Sequence, residues 1–238
     1  MLPLRNTVLL PEVIRPTSTT TSISFAVPPN KALTFWFSLI SLYPDYAPDN
    51  HPPAFTDSLF DPLSEAARRY PMTVIVGMSL GDEAHNMAGM VSFLPDGSRI
   101  ACCKRPAEAL DAKAQPPVAP LLGQRSRNIA LAVCAQSDDE AWPRSAADIG
   151  ADLYATGAAM TELSYQQDEM YMQRWAHKYG LTILQANYAW SGVEPRAAGR
   201  SACWDNLGQL VVRADQGELL AIGRRDERGW HGEVIPLR

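Results

Sequence analysis

A thiol and a lysine carry most of the chemistry this sequence offers. Cys134 stands at the end of the apolar run NIALAVCAQ, and Lys104 closes the run RIACCK. A thiol attacks carbon only as thiolate, so it needs a base or a positive charge nearby. A lysine can also stabilise the oxyanion that forms on an attacked carbonyl or amide. Both residues stand at the ends of runs that read as strands, and strand ends are where open α/β folds present side chains to a pocket. A single cysteine is more often a small buried apolar residue, so the pairing of types and positions carries the reading, not Cys134 alone. Carboxylates that could act as base are Glu12 in VLLPEVIRPT and Asp45 in LYPDYAP, and a further candidate site carboxylate is Glu108 in KRPAEALDAK, four residues after Lys104. His85 and His177 could in principle make a Cys–His dyad, but nothing places either near Cys134, and both read as solvated or core histidines.

The elements that would position these groups follow from apolar periodicity. DPLSEAARRYP reads as a helix stopped at Pro71, and MTVIVGMSL as a strand buried on both faces. MAGMVSFLPDGSRIACCK is a hairpin around Pro95-Asp96-Gly97. NIALAVCAQ is a further buried strand. SAADIGADLYATGAA reads as a helix end, Gly150 and a strand. YQQDEMYMQRWAHKYG is an amphipathic helix with Met170, Trp175 and Tyr179 among its apolar positions and Gly180 at its C-cap. LTILQANYA is a strand, and GRSACWDNLGQLVVRAD followed by GELLAIGRR reads as a closing hairpin. Strands alternating with helices, then late hairpins, predict one α/β sandwich domain with mixed sheets. The loops MTELSYQQDE and YAWSGVEPRAAGR, with Glu162, Tyr165, Trp190 and Arg196, are expected at the pocket mouth.

Bulk properties narrow the function. The net charge of −5 and the absence of a Lys/Arg stripe argue against nucleic acid. No apolar run reaches the roughly 18 residues of a membrane span. There is no basic segment leading into an apolar one at the N-terminus, so a secretory signal is not expected. Four cysteines without a framework spacing read as reduced thiols of a cytoplasmic protein. Without CxxC or a His/Cys cluster at zinc spacing, neither metal nor cofactor is expected.

The ordered set VIVGMSL…HNMAGMVSFLPDGSRIACCK, IALAVCAQ…GADLYATGAAM, LQANYAW and GRSACWDNLGQLV resembles the carbon–nitrogen hydrolase, or nitrilase, superfamily over about residues 61–238. The resemblance implies a four-layer α-β-β-α sandwich, a dimer formed through helices near the nucleophile, and a small-molecule amide as substrate. It implies hydrolysis of a non-peptide C–N bond by a Glu–Lys–Cys triad through a thioester, with Cys134 matching the nucleophile and Lys104 the lysine. A non-catalytic protein of the same fold, acting as a binding or scaffolding partner, is the alternative. Two positions depart from the family pattern. Gln136 stands where an acidic residue is usual, and Glu108 lies closer to the lysine than the family's second glutamate, where a surface charge is an equal reading.

Residues 1–45 fit neither the family nor a regular element. RPTSTTTSISFAVPPN has no helical or strand period, and LTFWFSLISLY is the most apolar stretch yet lacks caps and alternation. Glu12 has the local letters of the family's general base, L-P-E, but too little chain precedes it. Reading residues 30–46 one base out of frame gives a different picture. Trp36 then yields Leu, Phe37 yields Val, Leu39 permits Pro and Ile40 permits Asp. The hidden peptide can read GADLLVFPDLSL, close to the family's first catalytic segment, with Asp where Glu is usual. The N-terminal 45 residues are therefore expected to be aberrant, the first strand missing or abnormal, and the domain proper to span 46–238.

Overall fold

The computed structural model describes residues 22–25, 34–38, 56, 58–81, 86–103, 122–124, 127–133, 137–158, 160–187, 197–216 and 219–236. In chain order its elements are β1 (Ser22–Phe25), β2 (Thr34–Ser38), α1 (Asp61–Arg69), β3 (Met72–Gly81), β4 (Asn86–Phe93), β5 (Arg99–Cys103), β6 (Leu122–Gln124) and β7 (Arg127–Val133). Then follow α2 (Ala141–Asp148), β8 (Leu153–Ala158), α3 (Tyr165–Tyr179), β9 (Thr182–Asn187), β10 (Ala202–Trp204), β11 (Leu210–Arg213), β12 (Leu219–Asp226) and β13 (Gly229–Pro236).

The strands form two mixed sheets. One is seven-stranded in the order β13-β12-β1-β2-β3-β4-β5, the other six-stranded in the order β11-β10-β9-β8-β7-β6. Three apolar layers show how they stack. Ile75, Met90, Ile129, Leu131, Leu184 and Cys203 meet between the sheets. Leu63, Ala66 and Ala67 of α1 cover Val74, Val76 and Val91 on the outer face of the first sheet. Trp142 of α2 and Met172, Trp175 and Ala176 of α3 cover Ala130, Tyr154 and Ile183 on the outer face of the second. The result is the α-β-β-α sandwich the sequence led us to expect. Strand alternation explains it: along β3 the side chains go to α1 at Val74 and Val76 and to the other sheet at Ile75, so the strand reads as a continuous apolar run.

Local signals set the element ends. α1 carries a proline in its first turn, Asp61 at its N-terminus and Arg68 and Arg69 at its C-terminus, each favourable for the helix dipole. The β4–β5 turn is held by Asp96, whose Oδ1 accepts from Ser98 N at 2.8 Å and Ser98 Oγ at 2.6 Å. Gly97 sits there at φ 87°, where an L side chain is strained. α3 ends on Gly180 in the left-handed region at φ 64°.

Three sequence expectations need correction. The slot of the first strand is filled: β1 and β2 lie between β12 and β3, with β1 parallel to β12 and β2 parallel to β3. Alternating Ser-Ile-Ser-Phe and the aromatic Thr-Phe-Trp-Phe-Ser are both strand-compatible, and two open sheet edges are there to take them. The end of the chain makes two hairpins, not one. β10–β11 closes the six-stranded sheet and β12–β13 belongs to the seven-stranded one. Met170 lies on the solvent side of α3, 62% exposed, whereas Trp175 is buried as expected.

Candidate active site

The parallel strands β7, β8 and β9 bring three C-terminal ends together. Val133 pairs with Gly157 and Ala158 with Asn187. Crevices outside the carboxyl ends of parallel strands are the usual ligand position in open α/β sheets. β7 ends at Val133, one residue before Cys134, and β5 ends at Cys103, one residue before Lys104. The two strands approach each other across the inter-sheet layer, where Cys102 and Ile100 pack on the cluster that holds Ile129 and Leu131. Cys134, Lys104 and Glu108 themselves lie outside the described residues, as do Glu12, Asp45, His85, Gln136, Trp190 and Arg196.

The surroundings of these strand ends are built from polar side chains with defined tasks. Asn187, fully buried at the end of β9, accepts from Met160 N at 2.8 Å through its Oδ1. Its Nδ2 donates to Met160 O at 3.0 Å and to Gly199 O at 2.7 Å. Its backbone N donates to Ser201 Oγ at 2.9 Å. One side chain thus ties the segment after β8 to the segment before β10. Arg200, between Gly199 and Ser201, has φ 56°, the one non-glycine residue in the left-handed region among those described. Tyr165 holds it there, donating its hydroxyl to Arg200 O at 2.9 Å with the guanidinium 5.2 Å over its ring. Burial pushes the Tyr165 phenol above its ordinary pKa, which keeps the donor protonated. Tyr165 is therefore a buried brace and not a residue of the pocket mouth, and Glu162 is exposed and accepts from Gln216 at 2.6 Å.

The motif G-x-S-x-x-x-D-x-x-G, here Gly199, Ser201, Asp205 and Gly208, turns out to be scaffolding. Asp205 Oδ1 accepts from Leu207 N at 2.9 Å and Gln209 N at 2.8 Å and so closes the β10–β11 turn. Gly208 has φ 77°, and a Cβ there would lie 2.7 Å from Gln173 O of α3.

Beyond β7 the chain is caught again at Ser137. Trp175 Nε1 donates to Ser137 O at 2.8 Å, and Ser137 Oγ donates to Asp168 Oδ1. Residues 134–136 are therefore spanned by a sheet-paired strand on one side and an α3 anchor on the other. The α2–α3 contact adds a charged knot. Glu140 accepts from Lys178 Nζ at 2.5 Å, Arg144 Nη2 at 2.9 Å and Tyr179 Oη. These bonds, Lys178 first, hold its carboxyl at about 2 against an ordinary 4.5. The sequence reading took α3's aromatics as packing and missed the anchor; the signal was Asp168 and Trp175, seven apart and hence on one helix face. Cys203, by contrast, is a buried structural thiol: burial between the sheets pushes its pKa well up, which disfavours the nucleophilic thiolate. His177 is exposed on α3 beside the Gly208 turn. Among the described residues no cluster of His, Cys, Asp or Glu could hold a metal ion, and no helix is long and apolar enough to cross a membrane.

Solved structures superimpose on this sandwich. Nit3 of Saccharomyces cerevisiae, a member of branch 10 of the nitrilase superfamily, matches with a TM-score of 0.63 over 84% of this chain and 88% of its own, at 14% identity. This chain has the nitrilase-superfamily fold. A carbon–nitrogen hydrolase of Helicobacter pylori G27 shares the nitrilase fold with a TM-score of 0.60 and 14% identity, over 84% of this chain and 86% of its own. A mutant of the amidase from Nesterenkonia sp. AN1, carrying acrylamide joined to its active-site cysteine by Michael addition, matches at a TM-score of 0.54 and 19% identity. That match covers 67% of this chain, which spans 66% of the amidase. No family model matches the sequence.

Proposed function

We propose that this chain is a thiol hydrolase of non-peptide C–N bonds, acting on a small carboxamide. The observation that carries the reading is the position of β7 in the nitrilase fold. The strand is paired in parallel with β8, ends one residue before Cys134, and is followed by an anchor at Ser137. The Nesterenkonia amidase, of the same fold, has an active-site cysteine that adds to acrylamide. In the proposed reaction the Cys134 thiolate attacks the carboxamide carbon while Lys104 donates to the developing oxyanion. The tetrahedral intermediate expels ammonia or an amine, which takes up a proton. Water then hydrolyses the thioester and returns the thiol. A general base must take the thiol proton and later activate that water. Glu108 is the candidate nearest Lys104 in sequence, and Asp45 and Glu12 are the others.

A second reading has an observation of its own. β2 lies parallel to β3 in the middle of the sheet, yet the residues directly after it, Leu-Ile-Ser-Leu-Tyr-Pro, contain no carboxylate. A non-catalytic nitrilase-fold protein that binds or scaffolds would need none. Alkylation separates the two. Rapid modification of Cys134 by iodoacetamide, slowed by a small amide and by Lys104→Ala, is expected of the hydrolase. Slow modification with an ordinary thiol pH profile, indifferent to both, supports the binding protein. Amide turnover that survives Lys104→Ala would overturn the mechanism.

A further inference from the structure

Four register partners cross the outer, helix-covered face of the six-stranded sheet in a single row. Ala132 of β7 pairs with Thr156 of β8, Thr156 with Gln185 of β9, and Gln185 with Ala202 of β10. Their neighbours fix the face. Ala132 and Ala202 belong to the layer under α2 and α3, as do Tyr154 and Ile183, each two residues before Thr156 and Gln185. Thr156 is 1% and Gln185 0% exposed. The Thr156 hydroxyl and both amide atoms of Gln185 nevertheless make no hydrogen bond among the described residues. Buried polar atoms without a partner are rare in native interiors, because each forfeits its bonds to water.

The polar groups nearby are committed elsewhere. The Asn187 amide serves Met160 and Gly199, the Tyr165 hydroxyl serves Arg200 O, and the Trp175 indole serves Ser137 O. On either side of the pair stand alanines, so no bulky side chain fills the row beside them. Three polar atoms on adjacent strands supply the two to four polar partners that an internal water requires. The chemistry also matches: Gln185 Oε1 accepts, its Nε2 donates, and the Thr156 hydroxyl does either.

We propose that Thr156 and Gln185 bind an internal water molecule on the helix-facing side of β8 and β9. Ala132, in the same row, is two residues before Cys134, so the water lies in the layer that supports the end of β7. The site does not depend on the function proposed above.

A high-resolution crystal structure of the full chain tests it directly. Solvent density within hydrogen-bonding reach of Thr156 Oγ1 and one Gln185 amide atom is expected. A direct Thr156–Gln185 hydrogen bond, or closed apolar packing around both, overturns the proposal. Oxygen-17 magnetic relaxation dispersion in solution is the second measurement, since it counts waters held longer than the protein tumbles. Thr156→Ser should keep the signal of the wild-type chain. Gln185→Met, with a native circular dichroism spectrum, should lose the contribution of at least one long-lived water, and an undiminished dispersion overturns the site. If Gln185→Met does not fold, the density in the unsubstituted chain decides.

Discussion

Asn187 does at the end of β9 what an apolar residue of its size could not: it satisfies backbone groups on two segments that are otherwise joined by the Thr161–Ala197 bridge and the bond from Ala198 N to Met160 O. Replacing it with alanine removes three side-chain bonds and leaves Met160 N and Gly199 O without the side chain that serves them, while Met160 O keeps its bond from Ala198 N. The expected cost is about 3 kcal/mol, the scale of buried groups left unpaired, read as a lower urea midpoint with an unchanged slope. A loss within about 0.5 kcal/mol, the range of ordinary surface substitutions, would show that the clamp is redundant. Glu140 predicts a pH effect. Its carboxyl is held at about 2 in the folded chain against 4.5 ordinarily, by Lys178, Tyr179 and Arg144 in that order. A depressed acid stabilises the fold fully above its unfolded pKa and loses that contribution as pH falls through the folded one. The wild-type chain should therefore lose stability between pH 4.5 and 2 more steeply than Glu140→Gln. Parallel acid melting curves for the two would refute the assignment.

At the scale of elements, α3 joins the sheet, the Arg200 brace and the Ser137 anchor. Trp175→Phe keeps an aromatic ring in the core but deletes the donor to Ser137 O. If that bond positions the segment carrying the nucleophile, kcat/KM for a small amide should fall by up to about 10²-fold, the effect of misplacing a reacting group by an ångström. Cys134 alkylation should slow with it while the melting temperature changes little. A large loss of stability with unchanged alkylation would make Trp175 packing alone. Most elements from residue 61 onward were legible in the sequence because each has a local cause. Pro71 follows α1, Asp96-Gly97 turns the first hairpin, and Gly180 caps α3. What was not legible depends on partners distant in sequence. Ser22–Phe25 becomes a strand only because β12 and β2 flank it, and nothing in GELLAIGRR says that it leaves the sheet of β10 and β11 for the other one. The strand ends that precede Lys104 and Cys134 were legible for the same local reason. The polar clamps around them were not: Asn187 and Tyr165 each bond a backbone group that no spacing rule relates to them, and the seven-residue spacing of Asp168 and Trp175 gives a shared helix face but not Ser137 as the partner.

For the whole molecule, the decisive fact is that the seven-stranded sheet is continuous only through β1 and β2. Removing residues 1–45 would leave β3 and β12 with open edges in the middle of a sheet, an arrangement that invites pairing with other chains. The truncated chain should aggregate in light scattering, and a monodisperse, folded one would show that the slot is dispensable. The same geometry sharpens the question of reading frame. Thr34–Ser38, which pair in parallel with Met72–Val76, coincide with the stretch that can read Asp-Leu-Leu-Val-Phe one base out of register. The strand position is thus kept in either frame, but only the alternative one sets an aspartate two residues after it, at the codon of Ile40. Replacing residues 30–46 with the alternative-frame peptide should raise amide turnover by about 10²–10⁴-fold, the usual contribution of a positioned general base. Sequencing the coding DNA of this region should then reveal the indel that restores it. Equal turnover by the two chains would place the base elsewhere, and Glu108→Gln would be the substitution to make next, since no other carboxylate lies as close to Lys104 in sequence.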